Sequence, residues 1–256
     1  MGDILPDTRK TALVLAGIAL LAGWTWRAPH AAIRVPILMY HLVGPHQPSD
    51  HGYTLALTVS TAQFRAEMDW LHRDGFHAIS MRTLYDALEH GAPLPPKPVA
   101  ITFDDGYRDV LWNAAPILYQ LHMPATAFVI TGRISGRDSS FLTWPELRLL
   151  ERRGFTIGSH TVHHLELTLL SREEASYELV ASREALQQHL HRKVWWFAYP
   201  AGRFDATAVA LVARAGYRLA LTTRPGDVQR TPLLLHRYEV LDTTGVRGLE
   251  ALLGSR

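Results

Sequence analysis

Two adjacent carboxylates, Asp104 and Asp105, stand with Gly106 at the end of a β-prone run, Val99 to Phe103. Asp-Asp-Gly alone is ordinary turn chemistry. Yet two neighbouring carboxylates at a strand end can point in different directions, one binding a cation and the other staying free beside it. Further on comes His160-Thr161-Val162-His163-His164. His160 and His164 are four apart, so one helical turn or a tight loop brings both imidazoles to one side, with His163 pointing elsewhere. With an aspartate from another strand end they form a two-histidine, one-carboxylate set that leaves positions open for water and substrate. Zinc fits these ligands, and so do cobalt, nickel, manganese and iron. Non-haem iron oxygenases use a similar set. Hydrolysis differs in needing a base for the attacking water, and Asp104 is the carboxylate beside the set.

Composition narrows the alternatives. The 256 residues contain no cysteine, which excludes a disulfide framework, a thiolate metal site and a cysteine nucleophile. Fourteen histidines are available instead, so a transition-metal site must be built from histidine and carboxylate. A formal net charge of +2, with basic residues scattered among acidic ones, gives no nucleic-acid footprint. A hydrophobic content of 47% is enough for one sizeable α/β core rather than two.

The elements that must position these groups alternate along the chain. Val35 to Tyr40, Phe76 to Ser80, Val99 to Phe103, Ala125 to Ile130, Phe155 to Gly158, Trp195 to Tyr199 and Leu219 to Thr222 read as strands. Ser60 to Arg73, Met81 to Glu89, Val110 to Leu121, Trp144 to Arg153, Ser171 to His191 and Asp205 to Ala215 read as helices. Ser60 or Thr61 is a candidate cap, and Ser171 with Glu174 is a capping-box pattern. Repeated βα units imply a mostly parallel sheet covered by helices, open or closed into a barrel. In such folds sites gather at the carboxyl ends of strands. His41, Asp104, Asp105, His160 and the Tyr199-Pro200 turn all fall there.

The N-terminus carries a separate message. Thr11 to Trp26 is uncharged and apolar, with Arg9 and Lys10 before it and Arg27 after it. Trp24 and Trp26 fall where an interfacial aromatic belt would sit, and no small-x-small cleavage pattern follows. The expectation is a membrane anchor or uncleaved signal within residues 1–30, a cytoplasmic stub, and an extracytoplasmic domain over 31–256 tethered to the cell membrane. If the segment is cleaved, the domain is secreted.

Taken together, Thr102-Phe103-Asp104-Asp105-Gly106 and His160-Thr161-x-x-His164 resemble the first two motifs of the NodB-type polysaccharide deacetylases, carbohydrate esterase family 4. Ile37-Leu38-Met39-Tyr40-His41 and Phe197-Ala198-Tyr199-Pro200-Ala201-Gly202-Arg203-Phe204-Asp205 add to the resemblance, which covers roughly residues 35 to 240. The order, with the Met-Tyr-His segment first, is most similar to the branch that deacetylates poly-β-1,6-N-acetylglucosamine in biofilm matrices. The resemblance implies a distorted (β/α) barrel of about seven strands, the NodB homology domain, and a divalent metal, with zinc preferred. It assigns Asp105, His160 and His164 as ligands, Asp104 as base and His41 as general acid, and places an oxyanion-binding backbone N–H near Tyr199, Pro200 and Ala201. The reaction implied is removal of N-acetyl groups from an N-acetylglucosamine-containing surface polysaccharide, releasing acetate. A polysaccharide synthase or export complex in the same membrane is an expected partner.

The chain also departs from the family pattern. Many members carry an arginine before the Tyr-Pro turn that steers the base, and this chain has Ala198 there. Ala201 replaces the tyrosine usual after the proline, and no tryptophan-containing fourth motif is visible around Leu221-Thr222-Thr223-Arg224. Leu234-Leu235-His236-Arg237 makes His236 a second candidate acid, ranked below His41 because the aligned feature in similar branches is Arg237. Trp195 and Trp196 could stack on sugars, although a tryptophan pair beside a strand is more often core. An O-acetyl esterase and a catalytically silent glycan-binding module are the competing readings, and the intact Asp104 weighs against the second.

Overall fold

The β-prone runs become one parallel sheet in the computed structural model, which describes residues 32–47, 51–134 and 136–254. In chain order its elements are β1 (Ile37–Tyr40), α1 (Thr61–Arg73), β2 (His77–Ala78), α2 (Met81–His90), β3 (Pro98–Phe103), α3 (Ala115–Gln120), β4 (Ala125–Val129) and α4 (Trp144–Arg152). There follow β5 (Phe155–Ser159), α5 (Arg172–Leu190), β6 (Trp196–Ala198), α6 (Ala206–Arg214), β7 (Leu219–Leu221), β8 (Tyr238–Glu239) and α7 (Gly245–Leu253). The strand order is β7-β6-β5-β4-β3-β1-β8, every pair parallel, with β2 joining the start of β3. These seven strands curl into a distorted (β/α) barrel. The segment that ends in β8 draws the two edges together, since Leu235 bridges Leu221 of β7 and Tyr238 pairs with Leu38 of β1.

Both faces of the sheet are dry, as a parallel sheet requires. Leu38, Tyr40, Ile101, Phe103, Ala127, Val129 and Phe197 pack into one apolar cluster. Their alternating neighbours Ile37, Ala100, Phe128, Trp196 and Ala198 pack into a second. Trp196 is therefore core, and Trp195 packs against the same cluster.

Helix boundaries follow local chemistry. Ser60 caps α1 by accepting from the Gln63 N–H, and Ser171 with Glu174 forms the full capping box of α5. The stretch read as one helix from Val110 to Leu121 is a different object. Its first turn is wide, with the Ala115 N–H donating to the Val110 carbonyl five residues back, and α3 proper begins only at Ala115. Pro116 is the physical cause: it lacks the N–H that would bond Trp112, and its ring crowds that carbonyl. The strand β8 and helix α7 carried too weak a sequence pattern to be anticipated; β8 is only two residues long.

The expected anchor or signal segment, the stub before it and the 1–30 boundary lie outside the described residues. Among the described residues no helix is long and apolar enough to cross a membrane.

Candidate active site

Strand register sets the site. Tyr40 of β1 pairs with Phe103 of β3, so the next residues, His41 and Asp104, leave the barrel side by side. Ser159 of β5 pairs with Phe197 of β6, which brings His160 level with Ala198. All of these are carboxyl-terminal strand ends.

Asp104 and Asp105 do diverge. Asp105 takes a left-handed backbone, φ 70°, followed by Gly106 at φ 83°. That reversal sends the two carboxylates to different partners. Asp104 is buried, and both of its oxygens bond Arg237: Nη1 to Oδ1 at 2.7 Å and Nη2 to Oδ2 at 2.7 Å. Burial alone would push the Asp104 carboxyl up. The Arg237 guanidinium and the nearby His160 and His41 rings outweigh it and hold the group well below the usual carboxylate range.

Asp105, His160 and His164 each offer a ligand atom, all within 4.8 Å of one another. His160 Nε2 lies 3.5 Å and His164 Nε2 3.6 Å from Asp105 Oδ1, which is buried and has no hydrogen-bond partner. An orphaned carboxylate oxygen flanked by two ring nitrogens fits a bound cation, since buried polar atoms otherwise find partners. His160 Nδ1 is 2.8 Å from the Ala198 carbonyl. A carbonyl only accepts, so Nδ1 carries the proton and Nε2 faces Asp105 with its lone pair. Burial lowers the His160 pKa, against the pull of Asp104 and Asp105, which favours the neutral imidazole that a metal ligand must be.

The histidine pair does not ride on a helical turn. Residues 160–164 form a tight loop with left-handed Thr161 (φ 67°) and His164 (φ 61°). His163 turns away to Glu178, Nδ1 to Oε1 at 2.6 Å.

His41 is half-buried, and its Nδ1 is buried with no partner. Burial lowers its pKa, while Asp104 and Asp105 pull it upward. His236 is on another face. Its ring lies against Gly226, where an added Cβ would come within 2.7 Å of Nδ1, while the adjacent Arg237 points inward.

At the Tyr-Pro turn the donors narrow to one. The Tyr199 N–H is already given to the Leu221 carbonyl at 3.0 Å, its hydroxyl donates to the Leu233 carbonyl at 3.1 Å, and Pro200 has no N–H. Of the three residues, Ala201 alone keeps an N–H for a ligand among the described residues. Its backbone is left-handed, φ 51°.

Arg237, marked in the sequence only as the aligned feature beside His236, is drawn into the site by the fold. Besides Asp104 it donates to the Thr222 carbonyl (2.9 Å) and Thr102 Oγ1 (3.3 Å), and its side chain is fully buried. It supplies Asp104 with a charged partner that Ala198 cannot offer. An arginine embedded in an otherwise apolar run, Leu233-Leu234-Leu235-His236-Arg237, was the available signal.

Comparison with known proteins identifies the family. A family model described as polysaccharide deacetylase matches residues 91–220, half of the chain. The chain belongs to the polysaccharide deacetylase family. It is accordingly a carbohydrate deacetylase, a hydrolase. The chain is 29% identical over 223 residues to YxkH of Bacillus subtilis (strain 168), covering 87% of this chain and 76% of YxkH. It is 24% identical over 211 residues to the poly-β-1,6-N-acetyl-D-glucosamine N-deacetylase of Escherichia coli (strain K12), covering 66% of this chain but only 31% of that protein. Among solved structures, the Streptococcus pyogenes deacetylase PplD in complex with acetate superposes with a TM-score of 0.80 at 28% identity, over 88% of this chain and 99% of PplD.

Proposed function

We propose that this deacetylase removes N-acetyl groups from an N-acetylglucosamine-containing surface polysaccharide, at a divalent-metal centre held by Asp105, His160 and His164. The observation that carries the reading is an orphaned Asp105 oxygen between two histidines, with an arginine-oriented second carboxylate beside it. A pure binding module would have no use for Asp104. The similarity to an N-deacetylase of poly-β-1,6-N-acetyl-D-glucosamine supports the choice of polymer. Zinc is the preferred ion, because two neutral imidazoles and a carboxylate with open positions suit it.

A divalent cation in this set would lower the pKa of water and polarise the acyl carbonyl. The chain's residues do the rest. Asp104, kept ionised and pointed by Arg237, takes the proton of the attacking water as its oxygen bonds the acyl carbon. The Ala201 N–H donates to the acyl oxygen as negative charge builds there. The C–N bond then breaks, and the amine nitrogen leaves with a proton from the imidazolium form of His41, a form that burial opposes and the Asp104 and Asp105 carboxylates favour. Acetate and a free amino sugar result. An exported, membrane-tethered location, in reach of a synthase or export complex, is part of the proposal and follows from the apolar Thr11 to Trp26 segment.

The test is acetate release by the full-length chain from poly-N-acetylglucosamine, chitin oligomers and acetylated xylan, after metal stripping and after restoring zinc, cobalt or nickel. Release from the amino-sugar polymers alone, restored by metal, supports the reading, and release from xylan alone would make the protein an O-acetyl esterase. Asp104→Asn should keep its metal and lose roughly 10²–10⁴-fold in turnover, whereas His160→Ala should lose both. Wild-type turnover in Asp104→Asn would remove Asp104 from its role.

A further inference from the structure

The loop between His160 and His164 pays for its shape. Left-handed Thr161 and His164 each cost a non-glycine residue roughly 1–2 kcal/mol, and such conformations persist only where the surroundings over-determine them. One side of the loop is held by backbone: Thr131 N–H bonds the Thr161 carbonyl at 3.1 Å, and Gly132 N–H bonds the Val162 carbonyl at 2.9 Å. The Gly132 contact is close enough that an added Cβ would meet that carbonyl oxygen at 2.6 Å. Inside the loop, the Thr161 hydroxyl accepts from the His164 N–H at 2.9 Å.

The other side is held by one side chain from a helix. Glu178 projects from α5 and is 3% exposed. Its Oε2 accepts from both the Val162 and His163 N–H groups, each at 2.9 Å, and its Oε1 accepts from His163 Nδ1 at 2.6 Å. Those two N–H groups lie between the two histidines that converge on Asp105. Both point to the same side of the loop, where a single carboxylate oxygen bonds both. Charge-assisted bonds of this kind are about twice as strong as neutral ones.

We propose that Glu178 is a positioning residue for the metal centre, fixing the backbone of Val162 and His163 so that His160 and His164 stay at ligand spacing. It touches neither ion nor substrate. His163, the histidine that turns away from the centre, is part of the same device, its ring clamping the Glu178 carboxylate in place. The inference rests on the reading that Asp105, His160 and His164 hold a divalent cation. The loop then takes its shape from Glu178 before the ion arrives.

Zinc titration calorimetry on the stripped full-length chain tests this, alongside the melting temperature of each stripped variant. Glu178→Ala should bind zinc about 10–100-fold more weakly, the range seen when groups that orient metal ligands are lost. Glu178→Gln keeps an oxygen that can accept both N–H groups and should bind within a few-fold of wild type. Glu178→Asp, one methylene shorter, keeps the charge but cannot span to the loop and should bind as poorly as Ala; it also decides the matter if Ala does not fold. Wild-type affinity in the Ala or Asp variant overturns the proposal, as does equal loss in Gln and Ala. Absence of zinc binding by the wild-type chain itself would instead overturn the metal reading on which it stands.

Discussion

Arg237→Met removes a buried guanidinium while keeping much of its length. Four hydrogen bonds go with it: two of 2.7 Å to Asp104, one of 2.9 Å to the Thr222 carbonyl and a long one to Thr102. Asp104 stays 2% exposed without its principal counter-charge. Breaking a buried ion pair from one side costs about 3–5 kcal/mol, because the remaining charge is left in a poorly solvating site. Removing both charges is cheaper, so Arg237→Met/Asp104→Asn should recover part of the loss, with a coupling of about 2 kcal/mol. The assay is urea unfolding of wild type, both single variants and the double variant, metal-stripped, at neutral pH. Turnover should fail in all three variants, and the double should be no slower than the worse single, because the two residues act as one unit. Loss of less than about 1 kcal/mol in Arg237→Met, or strictly additive effects, would show that the pair neither holds the charge of Asp104 nor orients it.

Burial pushes the Asp109 carboxyl up to about 7, against the Val43 and Val110 N–H groups, which favour the ionised form. The folded state therefore holds this proton more tightly than the unfolded chain. That stability is full below pH 4 or so and is lost as the pH rises through about 7. Asp109→Asn should thus be more stable than wild type at pH 8, by at most about 4 kcal/mol, with the gap closing toward pH 4 in denaturant midpoints; a gap independent of pH would refute this. Tyr199→Phe loses a hydroxyl bonded to the Leu233 carbonyl and should cost about 1 kcal/mol of stability while leaving kcat unchanged. A fall in kcat would put the phenol, rather than the neighbouring Ala201 N–H, against the substrate.

The parts of the site legible in the sequence are those written locally. Asp105 announces itself by ending a strand beside a second aspartate, and His160 and His164 by spacing. What spacing left open was helix or loop, and Thr161 and His164 resolve it through left-handed angles held by the local Thr161–His164 bond together with the distant partners Thr131, Gly132 and Glu178. The alternation of strands was readable because both faces of a parallel sheet are apolar, so each strand is a dense hydrophobic run. The wide turn before α3 was not read, although Pro116 stood in the sequence as its cause. The fold also accounts for the near side of that turn: Asp109 accepts from the Val43 N–H while Asn113 donates to the Val43 carbonyl, pinning the chain two residues past His41.

Arg237 was legible as an aligned position, but its pairing with Asp104 was not, because that pairing is topological. It lies 133 residues from Asp104, on a segment whose strand is two residues long. That segment matters because it meets both edges of the sheet, Leu221 on one side and Leu38 on the other. In an extended chain adjacent side chains leave on opposite faces. With Leu235 and Arg237 inward, His236 must face out toward Gly226, and the inward position beside Asp104 goes to a cation rather than an acid. The three candidate ligands come from residues 105 to 164, whereas Arg237, the partner of Asp104, lies on the segment that closes the barrel. The proposed cation site and the Asp104–Arg237 pair therefore rest on different parts of the chain, so Arg237→Met is expected to cost turnover while sparing zinc affinity in calorimetry.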